Sequence, residues 1–241
     1  IEGYIFTITT ALNGMFLTRI TRIVNNDSES DQLTKLAINV GRFLFVINGL
    51  IIVGFALVGK DFIMLWMGKD YIQAYYGILL VIIPGLFYNS LQIAHTTMVA
   101  QNFVKYQAYV QIFIGISNVI ISLFLSKRYG VIGACVSICT VYVIRVIMNL
   151  IIIRKKIDIN LKDYMKKCYL KMSIPLFFTI ILGNMLIEDA SELSWGGFCI
   201  KGLSVVCIYI GFLYLTGLSR NERKNINAQV LNICNTAVRK R

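Results

Sequence analysis

The chain has 241 residues, 57% of them hydrophobic and 15% charged, with two prolines in all and a mean hydropathy of +0.69, a balance that excludes an ordinary soluble domain. Its net charge of +12, from 24 Lys and Arg against 12 Asp and Glu, is no nucleic-acid footprint. The cations stand beside apolar runs and no soluble domain carries them, so no nucleic-acid partner is expected.

The sequence divides into apolar runs separated by short polar turns. The first run, about Glu2–Ile23, opens at Ile1 with neither an initiator Met nor a charged leader. No signal peptide is expected, and an upstream segment is expected to be missing. After the polar loop N-N-D-S-E-S-D-Q, a second run, about Lys35–Gly59, ends at Lys60-Asp61. Trp66 and Tyr71 follow and suit a headgroup-level belt. The third run, about Tyr71–Gln101, contains Pro84-Gly85, where a kink or a break is expected because proline lacks the donor for the preceding turn.

The fourth and fifth runs, Tyr106–Ser126 and Tyr129–Ile153, are joined by the turn S-K-R-Y-G-V-I-G. The fourth carries no charge over 21 residues; as a helix it is about 31 Å long, enough for a bilayer core of about 30 Å. A basic linker precedes the sixth run, about Tyr169–Ile187, and the seventh, about Gly196–Leu218, leads into the tail. The expected fold is all-α, a polytopic membrane bundle of about seven spans over 1–218. The tail over 219–241 is basic, and Ile226, Val230, Ile233 and Ala237 at helical spacing fit an interfacial amphipathic helix.

The cations orient this bundle. If the loop after the first run is cytoplasmic, that side collects eighteen Lys and Arg, among them Arg154–Lys156, Lys162, Lys166 and six in the tail, against five on the other: Lys60, Lys69, Lys127, Arg128 and Lys201. The positive-inside rule then places the C-terminus in the cytoplasm, with anionic membrane lipid as a partner of its basic face.

Candidate functional residues are the polar groups inside the runs. Arg145 lies about 13 Å along a helix from Arg154 and shares a face with Tyr142 and Asn149. A cation so placed either faces a polar interior, where an anionic headgroup would pair with it, or snorkels to the inner interface. The fourth run repeats polar or small residues at three or four: Gln107, Gln111, Gly115, Asn118, Ser122 and Ser126. The third shows Asn89, Gln92 and Thr96 on one face and the first Thr7, Thr10 and Asn13, so these stripes either glue helices or line a shared hydrated cavity. His95, the single histidine, is a candidate for proton coupling, or a hydrogen-bonded neighbour with no such role.

Catalytic constellations are absent from the pattern. No acidic residue lies deep in a run except Glu2 at the edge of the first, no C-x-x-C or phosphate-loop motif occurs, and one histidine cannot furnish a metal site or a triad. Cys135 and Cys139, at i and i+4, read as small packing residues. No metal, cofactor or enzymatic activity is expected, and passage across the membrane is the natural role.

The order M-F-L-T-R-I-T-R-I-V-N-N-D (Met15–Asp27), L-W-M-G-K-D-Y (Leu65–Tyr71), M-V-A-Q-N-F-V-K-Y (Met98–Tyr106), I-S-N-V-I-I-S-L-F-L (Ile116–Leu125) and R-Y-G-V-I-G-A (Arg128–Ala134) resembles the later part of the bacterial polysaccharide and O-antigen flippases. These belong to the multidrug/oligosaccharidyl-lipid/polysaccharide exporter superfamily. The resemblance covers roughly residues 1–153, and Thr18 departs from it, standing where the family has proline. It implies a MATE-like C-terminal lobe of a two-lobe transporter in the bacterial inner membrane, with a central cationic cavity.

Such a protein would carry an undecaprenyl-pyrophosphate-linked oligosaccharide to the outer leaflet by alternating access for surface polysaccharide assembly. The polymerase of the same pathway would be a further partner, and this chain would not transport alone. Two alternatives stand beside it. A drug or cation exporter of the same superfamily should show a buried carboxylate, and a membrane-embedded polymerase or glycosyltransferase should show long outward loops.

Overall fold

The computed structural model describes residues 2–14, 16, 20–23, 30–157, 159–187 and 194–217; the tail, Thr18 and the Asn13 side chain lie outside what it describes. It is helical almost throughout. The elements are α1 (Glu2–Gly14), α2 (Ser30–Trp66), α3 (Gln73–Ser90), α4 (Gln92–Ala100), α5 (Val104–Lys156), α6 (Leu161–Tyr164), α7 (Lys171–Ile187) and α8 (Trp195–Phe212). A π turn, Met165–Leu170, joins α6 to α7, and another, Leu213–Gly217, ends α8.

Five helical stretches are long and apolar enough to cross a membrane: Gln32–Trp66, Lys69–Ser90, Val104–Lys156, Leu161–Leu186 and Trp195–Gly217. The chain is therefore a multi-pass membrane bundle. The longest stretch is doubled on itself, as the turn between the fourth and fifth runs requires. Gly130, at φ 60 and ψ −139, reverses the chain in a conformation open to glycine alone. Gly133 lies on the backbone of Leu125, and Ser137 donates to the Asn118 side chain at 3.2 Å.

Val110, Ile114 and Val141 fill the seam between the two arms. Each arm has about 26 residues, or about 39 Å of helix. The outer side of the first arm exposes Ile112, Phe113, Ile116, Val119, Ile120 and Phe124, a continuous apolar face that suits lipid and would be untenable in water.

The count of seven spans is not reached among the described residues, because α1 covers 13 residues, about 20 Å and short of a bilayer core. Other boundaries shift for identifiable reasons. The second run was expected to end at Lys60-Asp61, yet α2 continues to Trp66 because both charges are satisfied sideways. Asp61 pairs with Lys201 of α8 at 2.8 Å, and the Lys60 ammonium sits 5.5 Å from the Tyr75 ring centre. Gly68, at φ 99, then turns the chain. The exposed Trp66, Tyr71 and Trp195 mark this end of the bundle as the aromatic belt expected from the sequence.

The basic linker is shorter than expected. Asn160 accepts from the Asp163 backbone N–H as an N-cap and starts helix at once, so the sixth span begins near Leu161 rather than Tyr169.

The third run breaks, but not at its proline. Helix α3 continues through Pro84-Gly85 to Ser90, and the interruption falls at Leu91, six residues later. Two tyrosine hydroxyls from α6 and its π turn explain the position. Tyr164 donates to the Ser90 carbonyl at 2.7 Å and Tyr169 to the Phe87 carbonyl at 2.8 Å. The carbonyls freed at the break are satisfied by side chains reaching across the bundle.

Glycines open the way for this reach. A Cβ on Gly41 would strike the Tyr164 ring, and one on Gly49 would strike Leu176. Helix α2 thereby lets α6, α7 and α8 approach closely, as small residues do at membrane helix crossings. Phe45, Phe87 and Tyr169, with ring centres 5.2–5.9 Å apart, fill the centre. Arg42 of α2 donates to the Gly217 carbonyl at 3.0 Å, a cation on the negative end of a helix.

Replacing Tyr164 by Phe leaves the Ser90 carbonyl buried without that donor. The change is expected to lower the free energy of unfolding by about 1–3 kcal/mol, read from denaturation in mixed micelles followed by circular dichroism.

Candidate functional site

Arg145 lies in the second arm of the α5 hairpin, about 13 Å of helix from the basic triplet at Arg154. It does not snorkel. Its guanidinium carbon stands 3.7 Å from the centre of the Tyr88 ring, and Nη2 donates to the Tyr88 hydroxyl at 2.7 Å. One aromatic side chain thus offers its π face and its oxygen to the same cation. Tyr142, one turn away, places its ring 5.7 Å from the guanidinium. Among the described residues no carboxylate lies within ion-pair distance of Arg145, and its buried Nε has no protein partner.

Magnitudes explain why this arrangement holds. An arginine at bilayer depth costs about 3 kcal/mol on insertion scales. A desolvated cation–π contact returns up to about 2 kcal/mol, and a hydrogen bond from a charged donor about 1.5–3 kcal/mol. Tyr88 alone therefore offsets roughly the insertion cost, leaving the cation able to receive an anion.

A polar cavity of about 230 Å³ adjoins the stack, lined by Tyr88, Gln92, His95, Thr96, Gln107, Gln111 and Asn149, with Val99. The break at Leu91 brings these residues together, since it lets α4 turn His95 and Gln92 toward the hairpin. Gln107 holds the turn, donating to the His95 carbonyl at 2.9 Å and lying 3.3 Å from Nδ1. The other ring nitrogen, Nε2, is buried without a protein partner. Asn149 donates to the Arg145 carbonyl at 2.7 Å. The Tyr88 and His95 rings are 5.0 Å apart, so cation, phenol and imidazole form one continuous group.

The residues singled out from the sequence divide between this site and the packing. Gln92, His95, Gln111 and Asn149 line the cavity; Arg145 is not in the lining but stacks on Tyr88, which is, and Tyr142 lies beside the guanidinium. Asn118 does not reach it: its side chain accepts from Ser137 and holds the two arms of the hairpin together. Ser122, farther along the same stripe, is half-buried and also outside the lining, as is the buried Asn89. Thr7 and Thr10 donate to carbonyls of their own helix.

Three residues carried no sequence signal, Tyr88, Thr9 and Asn48, and a fourth, Glu2, acquires a partner the sequence did not show. Tyr88 sits 57 positions from Arg145 and reads in the sequence as one apolar aromatic among many. Thr9 and Asn48, both buried, bond α1 to α2 at 3.1 Å. Glu2, set at the edge of its run, accepts from the Tyr142 hydroxyl at 3.1 Å. The half-buried Glu2 carboxylate, the one acid the sequence left at the edge of a run, thus meets α5 one turn from Arg145.

Comparison with protein-family models, with curated proteins and with solved structures yields no match.

The Tyr88 ring and hydroxyl make separable contributions. Tyr88→Phe keeps the stack and is expected to cost about 1–2 kcal/mol of stability; Tyr88→Leu leaves a buried, uncompensated cation and should cost about 3–5 kcal/mol. Parallel denaturant titrations of the two variants measure the difference.

Proposed function

We propose that this chain is part of a membrane transporter that moves a lipid-linked oligosaccharide between leaflets, its pyrophosphate passing the cation at Arg145. The observation that carries this reading is the guanidinium stacked on Tyr88, a residue that lines a polar cavity inside an apolar bundle, with no carboxylate partner among the described residues. A diphosphate headgroup needs positive charge and hydrogen-bond donors along its route, while its prenyl tail can remain in lipid. Arginine suits the task because its planar donors match phosphate oxygens in pairs. The resemblance of residues 1–153 to the polysaccharide and O-antigen flippases points the same way, and with it go the inner membrane, a cytoplasmic C-terminus and alternating access between two lobes.

A second reading has a specific observation behind it. Glu2, hydrogen-bonded to Tyr142, is the carboxylate that a cation or drug exporter of the same superfamily would require. It could alternatively couple saccharide transport to an ion gradient.

The test uses the full-length protein in cells lacking their own copy. Arg145→Ala is expected to lower surface glycan at least tenfold and to accumulate lipid-linked precursor on the inner side, with Arg145→Lys partly active. Unchanged surface glycan in both variants, with both proteins present in the membrane, would refute the proposal. Loss of dye efflux in Glu2→Gln with intact glycan would favour the exporter.

A further inference from the structure

The end of the bundle that bears the basic triplet contains a second cavity, unconnected with Arg145. It measures about 930 Å³ and opens between the second arm of α5 on one side and α6 with its π turn on the other. The order of residues along its two walls is the informative feature. On the α5 wall, Val146, Leu150 and Arg154 follow at intervals of four; on the facing wall, Leu170 is followed outward by Lys166 and Lys162. Both walls therefore pass from apolar to cationic in the same direction. The change takes about 12 Å along α5.

The cations at the mouth are free to act. Lys162, Lys166 and Arg154 are exposed, and among the described residues none pairs with a carboxylate. The nearby Asp163 is engaged by Lys167 at 3.0 Å, and among the described residues no acidic side chain lines the cleft. Burial and charge thus repeat the profile of one leaflet: an acyl region below, an anionic headgroup above. Leu170, exposed to 66%, lies at the junction of the two zones.

We infer that this cleft binds one anionic phospholipid of the leaflet on the basic face, its phosphate held by Lys162, Lys166 and Arg154 and its acyl chains laid against Val146, Leu150 and Leu170. Contact of the basic face with anionic lipid, expected from charge alone, thereby acquires a defined place. The π turn contributes by widening the helix where the headgroup must enter. A lipid so placed bridges the hairpin to α6 and its π turn, the elements that also hold the tyrosine clamps on the α3–α4 break, and so ties the basic end of the bundle to the break.

The test is a titration of the full chain in detergent micelles with phosphatidylglycerol and with phosphatidylcholine of the same acyl chains, bound lipid being counted by native mass spectrometry. Phosphatidylglycerol should bind at least tenfold more tightly. Lys162→Gln with Lys166→Gln should remove that preference, and Leu170→Trp, which fills the junction without altering charge, should weaken both lipids. The pair Lys127→Gln with Arg128→Gln, at the hairpin turn on the opposite face, should change nothing. Excess glycerol 3-phosphate should not displace the lipid. Equal binding of the two lipids, an equal loss on neutralising the hairpin turn, no effect of Leu170→Trp, or displacement by glycerol 3-phosphate would each overturn the inference.

Discussion

A guanidinium held inside a bilayer by the face and the hydroxyl of one tyrosine is the interaction on which the rest of this structure depends. Arg145 could satisfy its charge by stretching toward the basic triplet, at a cost in side-chain freedom and with its stem left in lipid. Tyr88 removes the need: stacking at 3.7 Å and a 2.7 Å hydrogen bond keep the cation at depth with its charge unneutralised. A buried carboxylate partner would have held it as well, but would also have cancelled its attraction for an anion. Aromatic support instead of an ion pair is the choice that leaves a cation available.

Holding Tyr88 and His95 on the same side of the hairpin requires that one apolar run be bent, and the bend is assembled from far along the chain. The interruption at Leu91 frees backbone carbonyls in a medium with no water to receive them. Tyr164 and Tyr169 supply donors across the bundle, and Gly41 supplies the space through which Tyr164 passes. Core packing and site geometry are therefore one system, in which the stability of the break fixes where the cavity lies. The Arg42 contact with the Gly217 carbonyl fastens α8 to α2, the helix that carries those glycines.

Much of this was legible because membranes simplify the physics. Hydropathy located the long helices, and the glycine-bearing turn between two apolar runs located a hairpin, since a 53-residue apolar helix has no bilayer to fit. The face shared by Arg145, Tyr142 and Asn149 followed from helical spacing. What stayed hidden depended on partners distant in sequence. Pro84 carries the strongest local signal for a break, yet the break is at Leu91 because the hydroxyls that reward it arrive from residues 164 and 169. The stripe from Gln107 to Ser126 read as one surface, whereas the hairpin cuts it in two, Gln107 and Gln111 serving the cavity and Asn118 the seam. Spacing reveals which residues share a helix face; it does not reveal what stands opposite.

The central claim, a hydrated polar hollow beside a retained cation, is tested most directly by cysteine accessibility in a chain whose native cysteines have been replaced. Gln111 lines the cavity, while its neighbour Ile112 is on the apolar outer face. A membrane-impermeant thiol reagent should modify Gln111→Cys in sealed vesicles from at least one side and leave Ile112→Cys untouched. Equal protection of both positions from both sides of the membrane would contradict the account.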